Sequence, residues 1–238
     1  MKPIQLIRSL INPFKIDLVK YPDLDLRRRL KLFSYHNINT IIDVGANQGQ
    51  YASQFLKHGY KGNILSFEPI TKVFETLEKN SKTYKNWKVF NYGLSNENKT
   101  SQIYISENTF SSSLLKITPS HLINEPKSKT VRSQKVNLKT LDSIYDSFDI
   151  KNESVFLKID VQGYEKEVLE GAKNSLKHIK GIQIEMSIEE LYKGEMLFND
   201  MLSYIQKLGF ELHSLENGFY SNNSGKLLQV DGVFFKPN

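Results

Sequence analysis

Three observations predict an α/β fold, with a mostly parallel central sheet and helices on both faces. From Asn39 onward, short strand-like apolar runs alternate with helical stretches, the pattern of βαβ units. The run Ile41-Ile42-Asp43-Val44 passes into Gly45-Ala46-Asn47-Gln48-Gly49 and then into a helix. The chain finishes with two strands and no helix between them, so those two must be antiparallel neighbours. With 238 residues the chain is long enough for one well-cored domain and short for two.

Residues 1–37 are predicted as a helical lead-in and 38–238 as the domain. Ile4, Ile7, Leu10 and Ile11 share one stripe of a first amphipathic helix, with Lys2, Arg8 and Lys15 elsewhere. Its apolar core is too short and too broken for a good secretory signal. The helix suits packing on the domain or a partner subunit, or peripheral membrane contact. Leu24, Leu26, Leu30 and Phe33 then mark a buried helical stripe, with Arg27-Arg28-Arg29 as a solvated face.

A first strand over 40–45 leads to a helix over 49–58, stopped by Gly59. A strand over 63–68 is followed by a helix over 71–83 that buries Val73, Phe74 and Leu77, and a third strand spans 87–92. The alternation then lapses: short strands at 102–105 and 135–138 flank a serine- and lysine-rich loop over 106–130. A loop of that length is usually functional or mobile, and Phe110 with Ser111, Ser112 and Ser113 makes it a candidate lid or acceptor-binding element, a plain surface loop being the alternative. Thr140 caps a brief helix with Leu141, Ile144 and Phe148. A fourth strand over 155–160 precedes a helix over 164–179, and a fifth over 182–186 precedes a helix over 195–208. The closing strands are 210–215 and 230–236.

Composition narrows the chemistry. The chain has no cysteine, which excludes disulfides, thiolate metal sites and a cysteine nucleophile, and fits a reducing, cytoplasmic setting. A formal charge of +6 suggests attraction to anions, or lysines that merely solubilise the surface. No His/Asp cluster stands at ligand spacing, so no metal site is assigned, and no apolar run reaches bilayer length.

The glycine spacing separates two nucleoside cofactors. A dinucleotide fingerprint reads G-x-G-x-x-G, whereas this turn reads Gly45-x-x-x-Gly49. The pattern suits S-adenosyl-L-methionine, which has no phosphate to cradle. Asp43 is a candidate for its ammonium, the loop amides for its carboxylate, and Glu68, ending the second strand before Pro69, for the ribose hydroxyls. A turn or cap carboxylate is the plainer reading of Asp43. Gly93 and Leu94, after the third strand, should lie beside the adenine. Asp160 ends the fourth strand on the same side as Lys158 and is the sharpest catalytic candidate, as base or as salt-bridge partner of Lys158. Glu165, Glu185 and His121 follow it.

Asp43-Val44-Gly45-Ala46-Asn47-x-Gly49, Phe67-Glu68-Pro69 and Lys158-Ile159-Asp160-Val161-Gln162-Gly163-Tyr164-Glu165 together resemble the FkbM-type S-adenosylmethionine-dependent methyltransferases over about residues 38–236. Two smaller matches are Ser111-Ser112-Ser113-Leu114-Leu115 and Val136-x-Leu138-x-Thr140-Leu141-Asp142. The resemblance implies a Rossmann-like class I methyltransferase fold with an antiparallel C-terminal strand. It implies cofactor contacts at Asp43, Gly45, Asn47, Gly49, Glu68, Gly93, Leu94 and Asp160, and catalysis by Asp160 with Glu165. It makes plausible that Asp231 faces the same cleft. The implied activity is O-methylation of a small-molecule or glycan hydroxyl, on a sugar or a secondary metabolite, with no nucleic-acid partner. A nicotinamide-dependent oxidoreductase and a non-catalytic cofactor-binding scaffold are the competing readings.

Overall fold

The computed structural model describes Ile7, residues 11–15, residues 21–150 and residues 152–237. The first amphipathic helix expected from the sequence lies almost wholly outside them. In chain order the strands are β1 (Thr40–Val44), β2 (Asn63–Phe67), β3 (Trp87–Phe90), β4 (Gly93–Leu94), β5 (Lys99–Ser106), β6 (Thr130–Lys139), β7 (Val155–Ile159), β8 (Ile179–Ser187), β9 (Glu211–Asn217) and β10 (Gln229–Phe235). The α-helices are α1 (Leu24–Tyr35), α2 (Gln50–Lys57), α3 (Thr71–Ser81), α4 (Pro119–Asn124), α5 (Leu141–Ile144), α6 (Glu165–Glu170) and α7 (Phe198–Lys207).

Seven strands build the main sheet in the order β3-β2-β1-β7-β8-β10-β9. All pairings are parallel except those of β10, which runs antiparallel to β8 and to β9. This is the Rossmann-like arrangement predicted, with one addition: β10 inserts between β8 and β9 instead of ending the sheet. No helix among the described residues is long and apolar enough to cross a membrane.

Period-two alternation sorts the strand side chains between two cores. Ile42, Val44, Leu157, Ile159, Ile184 and Met186 pack on one face, against Val168 and Leu169 of α6 and Met201 and Ile205 of α7. Ile41, Phe156, Val233 and Phe235 pack on the other, against α1 and α2. The Asp23 carboxylate caps α1 by accepting from the Leu26 amide at 2.8 Å. Leu26 and Phe33 are buried, but Leu24 is 66% exposed and Arg29 is buried, reversing both expectations. Arg29 lies three residues beyond Leu26 and four before Phe33, so helical periodicity carries it inward.

Three further differences have local causes. β5 and β6 are long arms of a separate three-stranded sheet with β4, where the sequence predicts two short strands. Most of β6 is exposed, so apolar alternation marks only its end. The predicted helix over 164–179 stops at Glu170 and resumes as a 3-10 turn over Ser175–His178. There the Asp142 carboxylate accepts from the Asn174 and Ser175 amides and re-caps the chain. The expected loop 106–130 contains α4, and its serines are engaged: Ser113 Oγ donates to the Gln162 carbonyl at 2.6 Å, and Ser112 Oγ accepts from the Ser106 amide at 3.0 Å.

The tightest constraint lies between β1 and β7. Gly45 sits at φ +76°, and a Cβ there would stand 1.8 Å from the Asp160 carbonyl oxygen. Gly45→Ala is expected to cost at least about 2 kcal/mol, because strain and overlap add. Equilibrium denaturation should show a lower midpoint with an unchanged slope, and an unmoved midpoint would refute this packing.

Candidate active site

The chain leaves β1 for β2 and β3 on one side, and later returns to β7 and β8 on the other. The crevice beyond the carboxyl ends of β1 and β7 is therefore the topological switch point, where open α/β sheets bind ligands. Gly45 to Gln48 border it, Glu68 flanks it from the end of β2, and Asp160 flanks it from the end of β7.

The turn differs from a phosphate cradle in one decisive respect. Its amides are all spent inside the chain. Those of Gly45 and Ala46 donate to the Phe67 carbonyl, and that of Gly49 to the Ala46 carbonyl. The Asn47 amide donates to Glu68 Oε2 at 3.0 Å, and the Gln48 amide to the Asn47 side-chain oxygen at 2.9 Å. The expectation that these amides receive a cofactor carboxylate is therefore corrected.

A buried lysine organises the crevice. The register places Lys158 of β7 opposite Asp43 of β1. The ammonium donates to the Gly45 carbonyl at 3.1 Å and lies 3.2 Å from Asp43 Oδ1 and 3.4 Å from Asp160 Oδ2. Burial works to lower the Lys158 pKa, but Asp160 and Asp43 hold it above the ordinary range, so the ammonium stays charged. The other Asp43 oxygen accepts from Ser66 Oγ at 3.1 Å, and Ser66 Oγ in turn accepts from the Trp87 indole at 2.9 Å. Asp43 is thus fully buried and paired, and cannot itself meet a cofactor ammonium.

Two cavities meet here. The first, about 290 Å³, has Glu68, Gly93, Leu94 and Asp160 in its wall, with Ile70, Ile103 and Leu138 giving an apolar side. The Glu68 carboxylate also accepts from the Ile70 amide at 2.8 Å. Burial pushes its pKa up to about 7, against the pull of those two backbone bonds. The second cavity, about 670 Å³, lies toward α1 and α2 and shares Gly45, Asn47, Phe110 and Asp160 with the first.

Several nominated residues do not reach either cavity. Gly49 turns the chain into α2 at φ +86°, and a Cβ there would strike the Trp87 ring at 2.5 Å, so its role is packing. Glu165 is buried and accepts from the Val161 and Gly163 amides at 3.0 and 3.2 Å. It ties the turn after β7 together and lines neither cavity, so the structure gives its expected catalytic role no support. His121 is likewise buried, packed edge-on to Tyr192, and burial lowers its pKa to about 4.

The structure adds Gln162, which sequence reasoning missed, and brings the candidate Glu185 beside it. Gln162, at φ +60°, donates from its amide to Asp160 Oδ1 and to Glu185 Oε2, each at 2.8 Å, and accepts from Tyr192 Oη at 2.6 Å. Glu185 lines the first cavity, and burial and then Asp160 raise its pKa well above the usual carboxylate range. The expected Lys158–Asp160 salt bridge is present, and the lysine inside the otherwise apolar Val155–Ile159 strand is the signal for its further pairing with Asp43, because such a charge demands partners.

Comparison with known proteins decides the family. Residues 43–212 match the model of the methyltransferase FkbM domain. The chain belongs to the FkbM methyltransferase family. Among its curated relatives, the 2-O-methyltransferase NoeI of Sinorhizobium fredii is 25% identical over 72% of each chain. The hexuronic acid methyltransferase AglP of Haloferax volcanii is 27% identical over 66% of this chain and 60% of its own length. The fold is also that of an FkbM methyltransferase from Methylobacillus flagellatus, with TM-score 0.52 and 15% identity. That match covers 82% of this chain and 44% of the other. The methyltransferase domain of bacterial CtHen1 gives TM-score 0.51 and 11% identity, covering 90% and 97%.

In this FkbM-family methyltransferase, Lys158→Met should cost about 3–5 kcal/mol, because it strands Asp43 as an unpaired buried charge. The double substitution Lys158→Met with Asp43→Asn should recover part of that loss. Denaturant titration of the three proteins checks both, and additive losses would show that the pair is not coupled.

Proposed function

We propose that this methyltransferase uses S-adenosyl-L-methionine to methylate a hydroxyl group, on a sugar of a glycan or on a secondary metabolite. The observation that carries the reading is the placing of Glu68. Its carboxylate is fixed by two backbone amides in the wall of a cavity that opens at Asp160. A carboxylate so held suits paired ribose hydroxyls, and Ile70, Leu94, Ile103 and Leu138 offer an apolar slot for adenine. The spent amides of the turn argue against a dinucleotide diphosphate. The carboxylates around the seam suit a cationic donor. Relatives named for 2-O-methylation and for hexuronic acid methylation favour a sugar hydroxyl.

When bound, S-adenosylmethionine supplies an electrophilic methyl on a positively charged sulfur. The work of the chain is alignment and proton removal. Asp160 lines both cavities and is held by Lys158 and by the Gln162 amide, so its direction is set before ligands arrive. From there it accepts the proton that an acceptor hydroxyl sheds. Phe110, 58% exposed and part of both cavity walls, is placed to screen the seam from water.

Cofactor affinity should depend on the charge of Glu68. With its pKa near 7, the ionised form accepts ribose hydroxyls and the protonated form presents fewer acceptors. Calorimetric titration should show S-adenosylmethionine binding weakening as pH falls through about 7, approaching tenfold per unit below it. Glu68→Gln should abolish that pH dependence and weaken binding at higher pH by about 1–3 kcal/mol. Preference for NAD over S-adenosylmethionine in the same experiment would overturn the reading. Asp160→Asn should lower turnover by about 10²–10⁴-fold with little change in cofactor affinity. Equal losses in both would make Asp160 a binding residue only.

A further inference from the structure

The two cavities draw their walls from different parts of the chain. Every residue around the first lies between Val44 and Glu185, inside the segment 43–212 that matches the family. The second adds Tyr21, Arg29 of α1 and Asp231 of β10, all outside that segment. We infer that the second cavity is the acceptor subsite, and that Asp231, positioned by Gln183, holds a neutral sugar ring through its hydroxyls. The inference deepens the proposed function and rests on it.

The geometry fixes Gln183 first. Its side-chain oxygen accepts from Tyr51 Oη at 2.9 Å and from Arg29 Nη1 at 3.3 Å. That leaves its amide nitrogen directed at Asp231 Oδ1, 3.3 Å away. Among the described residues no other hydrogen bond reaches the Asp231 carboxylate, and Asp231 stands in the cavity wall. A partly buried carboxylate with acceptor capacity left over can take donors from a ligand in the cavity. Adjacent ring hydroxyls are such donors, and two can share one carboxylate.

Charge selects against an acidic sugar at this wall. Lys158 is already shared between Asp43 and Asp160, and Arg29 is paired with Glu216 at 3.2 Å. At Asp231 a hexuronate carboxylate would therefore meet like charge, the remaining cation of the cavity wall being Lys57 of α2, which is exposed. The cavity also offers ring faces, from Tyr51 on α2 and from Phe110 at the seam. Gly45, Asn47, Phe110 and Asp160 border both cavities, so a methyl group leaving the first reaches an oxygen held in the second. The family-matched segment thus builds the cofactor side, while α1 and β10 select the acceptor.

The test uses the full chain saturated with S-adenosylhomocysteine and titrated with methyl glycosides by saturation-transfer NMR. The probes are the methyl pyranosides of glucose, mannose, galactose and fucose, with methyl glucuronopyranoside beside them. At least one neutral glycoside should bind, more tightly than the glucuronide. Asp231→Asn should weaken it by about tenfold, the loss of one charged hydrogen bond. Its S-adenosylhomocysteine affinity by calorimetry should stay unchanged. Should Asp231→Asn fail to fold, Asp231→Ser makes the same comparison. Tighter binding of the glucuronide, binding of no neutral glycoside, or an unaffected Asp231 variant would overturn the inference. So would a variant that loses S-adenosylhomocysteine in place of the glycoside. Failure of the wild-type chain to bind S-adenosylhomocysteine would instead fell the proposed function itself.

Discussion

The Lys158 ammonium, closed in between β1 and β7, is the constraint on which the crevice depends. Removing a lysine from water is expensive, and only several oxygens together can offset it. Asp43 supplies one, the Gly45 carbonyl a second and Asp160 a third. To present its carbonyl, the chain must turn immediately after β1, at a residue whose φ of +76° and contact with Asp160 admit only glycine. The same ammonium orients Asp160 between the two cavities. One buried charge thereby sets the turn, the carboxylate and the seam between the two cavities.

Local charge and net charge point in opposite directions in this protein. The chain carries +6 overall, which suggests acidic partners. Inside the crevice Lys158 and Arg29 are consumed by carboxylates, while exposed Lys57 of α2 also borders the larger cavity. A cationic donor and a neutral hydroxyl acceptor match the buried part of that interior. Buried pairing, and not composition, determines what the crevice admits.

Much of this was legible in the residues. β1, β2 and β7 are almost continuously apolar because both of their faces are covered, and their positions follow directly. The glycine turn, Glu68 before Pro69 and Asp160 at the end of β7 converge on one crevice because all three end parallel strands. What sequence pattern does not carry is which way a polar side chain is satisfied. Asp43 and Glu165 look like ligand-facing acids, yet register gives one to Lys158 and a tight turn gives the other to backbone amides. Arg29 reads as part of a solvated basic run, whereas helical phase turns it toward Gln183 and Glu216. β5 and β6 are hidden by their exposed faces, and the break after α6 depends on Asp142 from a distant segment. Non-local pairing decided each of these.

On the function proposed, the cavity bounded by Glu68, Leu94 and Asp160 receives the nucleoside of a sulfonium donor. A crystal structure of the chain with S-adenosylhomocysteine tests it most directly. The account predicts the ribose hydroxyls on the Glu68 carboxylate, adenine between Ile70 and Leu138, and the sulfur at the seam beside Asp160. Density for the ligand in the larger cavity, or Glu68 without a contact to the ribose, would contradict it.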